Sequence, residues 1–246
     1  LASYKNKKLK INSGRVTTFS QYSVVSENRL YLKPKNISLK NSVLYGCALP
    51  TGVGMIFNHV KEFKRDIQII IAGIGGVGLS CYYALKILKF KNILILDKSK
   101  DKINFIKKKL KIKNAKLVNL KNLKSNYGYT KKKLDLFIDN TGDKSMLEHA
   151  FKIIDIKGTL LFSSHPPFQQ KISFDPKGFL DGKRVIGTRG GEMNLDKDIK
   201  KFTTLLKKNN FNYKSFFSKS YKLVEINKAI KDMKKGRVIR PLIKLM

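Results

Sequence analysis

The sequence predicts an α/β fold built on a doubly wound parallel sheet, and three observations predict it. The first is the turn Gly73-Ile74-Gly75-Gly76-Val77-Gly78, preceded by the apolar, β-branched run 67–72. Such a run is typical of a strand buried on both faces of a parallel sheet. The second lies just beyond the turn. Val77, Cys81, Ala84 and Leu88 recur at helical spacing, and the apolar run 92–96 then ends in Asp97, 19 residues beyond Gly78. The third is the alternation of strand-like and helix-like runs that continues to Gly187.

Taken in order, residues 1–14 are polar and lysine-rich and carry no structural signal. From Thr17 to Leu32 apolar residues alternate (Phe19, Tyr22, Val24, Val25, Leu30, Leu32), which predicts short antiparallel strands. A helical turn is expected over 38–45 and a longer, glycine-containing helix over 46–57. The strand–turn–helix–strand unit occupies 66–97. Ile103, Ile106 and Leu110 mark the next helix, and a third strand is expected near 116–118. Strands are expected at 134–139, 159–162 and 184–187, with a helix over 144–154 between the first two. Amphipathic helices come next at 196–208 and 224–235, the second with Ile226, Ala229, Ile230 and Met233 on one face, and 238–245 reads as a closing strand.

The glycine turn carries specific chemistry. Gly73 permits the tight turn out of the strand, Gly75 lets the backbone approach a pyrophosphate, and Gly78 allows close helix packing. A helix N-terminus offers unpaired N–H groups and partial positive charge to phosphates. Asp97 can accept from adenosine ribose hydroxyls, and its charge repels a 2′-phosphate. Strand, glycine turn, helix, strand and acid together form the fingerprint of a dinucleotide-binding unit. The acid favours NAD(H) over NADP(H), with Lys98 and Lys100 beside it working in the opposite direction.

Composition narrows the function classes. The formal charge is +35, from 52 basic and 17 acidic residues. Forty-five of the basic residues are lysines and seven are arginines, whereas base-edge readers favour arginine. The lysines spread along polar helix faces such as 107–109, the pattern of an AT-rich coding bias, so no specific nucleic-acid partner is expected. The field still attracts an anionic cofactor. No apolar window of membrane-spanning length occurs and no signal peptide is visible. Two cysteines, Cys47 and Cys81, give no disulfide framework; the expectation is a reducing, cytoplasmic setting.

Three further segments point to a family: 17–25 (Thr-Thr-Phe-Ser-Gln-Tyr-Ser-Val-Val), 46–54 (Gly-Cys-Ala-Leu-Pro-Thr-Gly-Val-Gly) and 236–240 (Gly-Arg-Val-Ile-Arg). Their order and spacing around the glycine turn resemble the zinc-dependent medium-chain alcohol dehydrogenases, from about Gly14 to Met246. The resemblance implies a Rossmann domain over 46–190, a remnant of a GroES-like catalytic domain over 1–45, and C-terminal helices and a strand returning to that domain over 191–246. It implies Cys47 as a catalytic-zinc ligand and Thr51 as a catalytic residue against the nicotinamide. Gly73, Gly75, Gly76 and Gly78 would surround the pyrophosphate, with Val77 near the nicotinamide. Asp97 would hold the adenosine ribose, Thr141 and Gly142 would border the adenosine, and Arg240 would contact the pyrophosphate. A guanidinium fork suits that last contact on its own terms.

The departures matter equally. Catalytic zinc takes three protein ligands, and Cys47 stands without a partner at the family's spacing, so a chain lacking its N-terminal catalytic part is expected. Where the family has an apolar-Gly-apolar strand end, this chain has Ser163-Ser164-His165. The implied activity is NAD-dependent oxidation of a small-molecule alcohol to an aldehyde, or the reverse, with zinc, in a homodimer or homotetramer. A zinc-independent reductase and a non-catalytic nucleotide-binding module are the alternatives. Cys81 reads as core, His59 and His149 as helix-borne surface or satisfied residues. His165 and Arg189 are further candidates for cofactor or substrate contact.

Overall fold

The computed structural model describes residues 16, 18–118, 133–217 and 219–245. Its centre is a six-stranded, all-parallel sheet. The strands are β1 (Gln68–Ala72), β2 (Asn92–Asp97), β3 (Ala115–Leu117), β4 (Leu136–Asp139), β5 (Thr159–Phe162) and β6 (Arg184–Gly187). They lie in the order β3-β2-β1-β4-β5-β6, so the connections reverse direction between β1 and β4. Ligands of open α/β sheets bind in the crevice beyond the strand C-termini at such a switch point. In register, Ala72 pairs with Leu96 on one side and with Asp139 on the other, so all three strands release their loops at one level.

The period-2 alternation of each strand fills two separate cores. Ile69, Ile71, Ile93, Ile95, Leu136 and Ile138 face one layer, formed by α2 (Ala48–His59), α3 (Gly76–Ile87), α4 (Lys100–Lys109) and α7 (Leu195–Lys208). Ile70, Ala72, Leu94, Leu96 and Phe137 face the other, where α5 (Lys144–Ile153) supplies Met146, Leu147, Ala150 and Phe151. Burial on both faces is why these strands read as continuous apolar runs. Smaller elements complete the chain. α1 (Leu39–Ser42) precedes α2, and α6 (Pro176–Leu180) precedes β6. After α7, a parallel pair, β7 (Lys219–Lys222) and β8 (Pro241–Lys244), is joined by α8 (Ile226–Lys234).

Two expectations need correction. The alternating segment from Thr17 to Leu32 forms no strand among its described residues (Thr17 lies outside them); a single 3-10 turn at Glu27–Arg29 is its regular structure. Tyr22, Val24 and Leu32 are each about nine-tenths exposed or more (89%, 98% and 94%). Alternation specifies a strand only where a neighbouring edge accepts its hydrogen bonds, and no described strand lies beside this segment. At the other end, the closing strand begins at Pro241; Gly236 has φ +74 and makes a turn, leaving 237–240 to cross the sheet's C-terminal edge. The remaining elements fall within a few residues of expectation, the helix expected over 46–57 running Ala48–His59. The lysine-rich segment 1–14 lies outside the described residues.

Candidate dinucleotide site

The glycine turn is built by backbone geometry and one carboxylate. Gly73 leaves β1 with φ +84, a left-handed conformation that glycine adopts without strain, and its N–H donates to Leu96 O at 2.8 Å. A Cβ on Gly78 would lie 2.0 Å from Gly73 O, so only glycine lets the first turn of α3 fold back so tightly on the loop. Gly75 is different. Its φ is −75 and a Cβ there meets nothing within 4 Å, because that face opens into space. Asp97, at the end of β2 and 6% exposed, fixes the turn from the side. Its Oδ2 accepts from Ile74 N at 2.8 Å and its Oδ1 from Ser99 N at 2.8 Å. Lys102 Nζ stands 3.5 Å from Oδ2, so part of the carboxylate's charge is already offset.

α3, like α2 and α8, has no side-chain cap. α4, α5 and α7 begin with Ser99, Asp143 and Asn194, whose side chains accept backbone N–H groups. α3 begins with Gly75, which has no side chain to do so. Its first amides therefore stay open, and with them the positive end of the helix. Over that end lies Arg240. Seen from Gly76, a Cβ would fall 2.8 Å from Arg240 Nε and 3.0 Å from Ala48 Cβ, so Gly76 is sandwiched between the arginine and the start of α2. Arg240 N donates to Phe216 O at 3.2 Å, which holds the crossing segment in place. An open helix N-terminus beneath a guanidinium is a site for a doubly charged phosphate ester.

The floor beside the turn is a cavity of about 340 Å³, lined by Gly73, Gly75, Asp97, Lys98, Lys102 and Thr141 among others. Thr141 and Gly142, expected at the adenosine, do line it, together with Asn140, Asp143 and Met146. Gly142 has φ +66. These residues sit just past Asp139, a carboxylate with no exposed surface. Burial pushes its carboxyl up to about 6, against hydrogen bonds from Thr141, Gly142 and Ser164 that favour the ionised form. In the sequence Asp139 reads as the end of a strand, with no role of its own. A signal is nevertheless present, since β2 and β4 both finish in an aspartate that holds the next loop.

α2 brings the other expected residues to the same edge. It crosses α3 so closely that a Cβ on Gly52 would lie 2.4 Å from Ser80 Cβ and 2.5 Å from Val77 O. Thr51 is buried, and its hydroxyl donates to Cys47 O at 2.8 Å, one turn back on the same helix. Val77 is half-buried in the first turn of α3. Cys47 is exposed and precedes α2, while Cys81 is buried in the core against Met55, its thiol pushed up to about 12 by burial. Among the described residues, no group of three or more His, Cys, Asp or Glu side chains is placed to hold a metal. One thiol does not make a zinc site, so the described residues do not fit that metal by themselves. His59 lies 3.4 Å from Glu192 across the α2–turn contact. His165 is exposed after β5, its Nδ1 2.6 Å from Pro166 O, and Arg189 caps the 3-10 turn Gly190–Glu192 that packs on α2.

Comparison with known proteins places this geometry. No protein-family model matches the chain. Alcohol dehydrogenase class-2 isozyme 2 of Oryctolagus cuniculus is 24% identical over 233 residues, 93% of this chain and 60% of the relative. An alcohol dehydrogenase of Malus domestica is 25% identical over 232 residues, 93% of this chain and 61% of the relative. Among solved structures, benzyl alcohol dehydrogenase of Acinetobacter calcoaceticus superposes with a TM-score of 0.75 at 22% identity, over 87% of this chain and 59% of that one. The chain thus spans about 60% of the length of the curated relatives it matches. The resemblance and the fold expected from the sequence are both borne out. No helix among the described residues is long and apolar enough to cross a membrane.

Proposed function

From a chain related in sequence and fold to the medium-chain alcohol dehydrogenases, we propose that it is the NAD(H)-binding part of such an oxidoreductase. One observation carries the reading: an uncapped helix N-terminus at the sheet's switch point, with Arg240 laid across it and an acid-lined cavity beside it. Bound there, the cofactor would supply a hydride acceptor or donor at its nicotinamide. The chain's own residues bind and orient it. The amides of Gly76 and Val77, with Arg240, hold the pyrophosphate, and Gly75 lets it approach. Asp97 accepts from a ribose hydroxyl, while Thr141 and Gly142 border the adenosine. α2 carries Thr51 and Cys47 toward the nicotinamide end, where Val77 also lies. The domain limits 46–190 and 191–246 belong to the same reading, as does a small-molecule alcohol or aldehyde as the whole enzyme's substrate. In that enzyme Cys47 would be one zinc ligand, joined by others not among the residues described. A homo-oligomer and a cytoplasmic setting are part of the same proposal.

The test is an NADH titration by fluorescence, with NADPH and an Asp97→Asn variant in parallel. The expected result is micromolar NADH binding, weaker NADPH binding, and loss of affinity in the variant. A folded chain that binds neither nucleotide would overturn the reading. Equal or tighter binding of NADPH would overturn the assignment of NAD.

A further inference from the structure

One buried carboxylate holds the loop that walls the cavity opposite Asp97 and ties it to the loop after β5. Asp139 Oδ1 accepts from Thr141 Oγ1 at 2.7 Å. Its Oδ2 accepts from Thr141 N at 3.2 Å, Gly142 N at 3.3 Å and Ser164 Oγ at 3.4 Å. A second tie links the same loops, with Ser163 Oγ donating to Asn140 Oδ1 at 3.0 Å. The loop so held is pressed against the glycine turn. A Cβ on Gly73 would lie 3.1 Å from Asn140 C and O and 3.2 Å from Thr141 Cγ2. On its other side, a Cβ on Gly142 would lie 2.9 Å from His165 O. With so little clearance, a shift of the 140–142 loop is passed directly to Gly73 and to Ser164-His165.

We propose that Asp139 is a positioning residue of the cofactor site: its ionised carboxylate fastens loop 140–143, the wall against which the nucleotide rests, to loop 163–165 behind it. The proposal depends on the dinucleotide reading above. Asp139 acts through the loops and does not touch the cofactor. The Thr141 and Gly142 amides can only donate, so Oδ2 must accept; the Thr141 and Ser164 hydroxyls donate to the ionised carboxylate and can also accept. Protonation at Oδ1 turns the Thr141 hydroxyl from donor to acceptor and leaves the two amides on Oδ2 without a charged partner, so the fastening weakens. Because burial has raised this carboxyl to about 6, that change falls within an accessible range.

The groups around Asp139 are few. β1 and β5 place Ala72 and Phe162 beside it in register, neither of them charged. α3 contributes Cys81, neutral throughout this range because burial lifts its thiol to about 12. The start of α5 contributes Asp143, which accepts from Met146 N, and across the cavity stand Asp97, its partner Lys102 and Lys98. The loop after β5 brings His165, whose backbone oxygen packs against Gly142 and which therefore needs its own control.

The experiment measures NADH affinity of the whole chain by fluorescence, freshly mixed, from pH 5 to 8. Wild type, Asp139→Asn and His165→Asn are compared. The wild-type Kd is expected to be constant above about pH 7 and roughly tenfold weaker at pH 5, as for one proton binding near 6 that must leave before the nucleotide binds. Asp139→Asn should bind weakly with a flat profile, and His165→Asn should keep the inflection. An inflection that survives Asp139→Asn, or one abolished by His165→Asn, overturns the proposal. If Asp139→Asn fails to fold, Ser164→Ala, which removes one donor to the carboxylate, takes its place; it should shift the inflection upward, and an unmoved inflection overturns the proposal. Wild-type binding at pH 8 with no pH dependence overturns the role of Asp139 alone. Absence of wild-type binding at pH 8 overturns the dinucleotide reading and this proposal together.

Discussion

Gly75→Ala separates cofactor binding from folding. In the free protein the new methyl meets nothing within 4 Å, and φ −75 is ordinary for alanine. Two small effects on stability oppose each other. Alanine is a poorer N-cap than glycine, by roughly 0.5–1 kcal/mol, while the loss of chain freedom in the unfolded state favours it by about 0.4–1 kcal/mol. The sum is near zero, so the melting temperature should move by no more than about 2 °C. In the bound state the same methyl occupies the space through which a pyrophosphate reaches the open amides of α3. Pushing the phosphates back loses at least one charge-assisted hydrogen bond, about 1.5–3 kcal/mol, or a loss of NADH affinity of roughly 10- to 150-fold. The assay is a thermal melt paired with an NADH titration. An unchanged melt with affinity within twofold of wild type would refute the claim that a phosphate approaches Gly75. Gly78→Ala does not serve as this test. Its methyl would strike Gly73 O at 2.0 Å, and fold and affinity would fail together.

Other consequences of the geometry can be measured directly. Arg240→Ala should weaken NADH by about 10- to 100-fold without lowering the melting temperature of the free chain, because a cation over a helix N-terminus costs about 0.3–1 kcal/mol; a destabilised variant with normal affinity would make Arg240 a packing residue. Gly52→Ala drives a methyl to 2.4 Å from Ser80 Cβ and 2.5 Å from Val77 O. Overpacking of this kind costs up to about 3 kcal/mol, a fall in melting temperature of roughly 6–12 °C, and an unchanged melt would mean that α2 does not press on α3. A chromogenic disulfide reagent should modify Cys47 quickly in the native chain and Cys81 only after denaturation, since one thiol is exposed and the other buried; two fast equivalents would contradict the packing.

Legibility in the sequence tracks burial. β1, β2, β4 and β5 announce themselves because both of their faces are covered, leaving nothing polar to confuse the pattern. β7 escapes notice for the opposite reason. Lys-Ser-Tyr-Lys buries one side chain, Tyr221, and its pairing with β8 depends on chain about 20 residues away. The segment before Leu32 shows the reverse error, apolar alternation with no sheet to join. For the candidate site, the glycines and Asp97 stand out in advance by residue type and spacing, whereas Thr141, Gly142 and Arg240 enter only through the family resemblance. The roles of Asp139 and of Lys102 beside Asp97 do not stand out, because they depend on where donors from separate loops converge. A carboxylate in sequence does not reveal how many N–H groups will point at it.

The position of Arg240 explains why the chain must return to the sheet after leaving it. β6 ends the sheet at Gly187, and the next 50 or so residues build α7, β7 and α8 away from the crevice. Gly236 then turns the chain back with φ +74, and its backbone packs so close that a Cβ would fall 1.9 Å from Ser99 Oγ, the cap of α4. Four residues later Arg240 lies across Gly76, at the start of α3. Residues 236–240 therefore bridge the ends of the two helices that flank Asp97. An extended chain advances about 3.3 Å per residue, so this short segment suffices to run from the cap of α4 at Ser99 to Gly76 at the start of α3. The arginine comes from a distant part of the chain, and the β7–β8 pair, whose second strand starts at the next residue, Pro241, anchors the segment that delivers it.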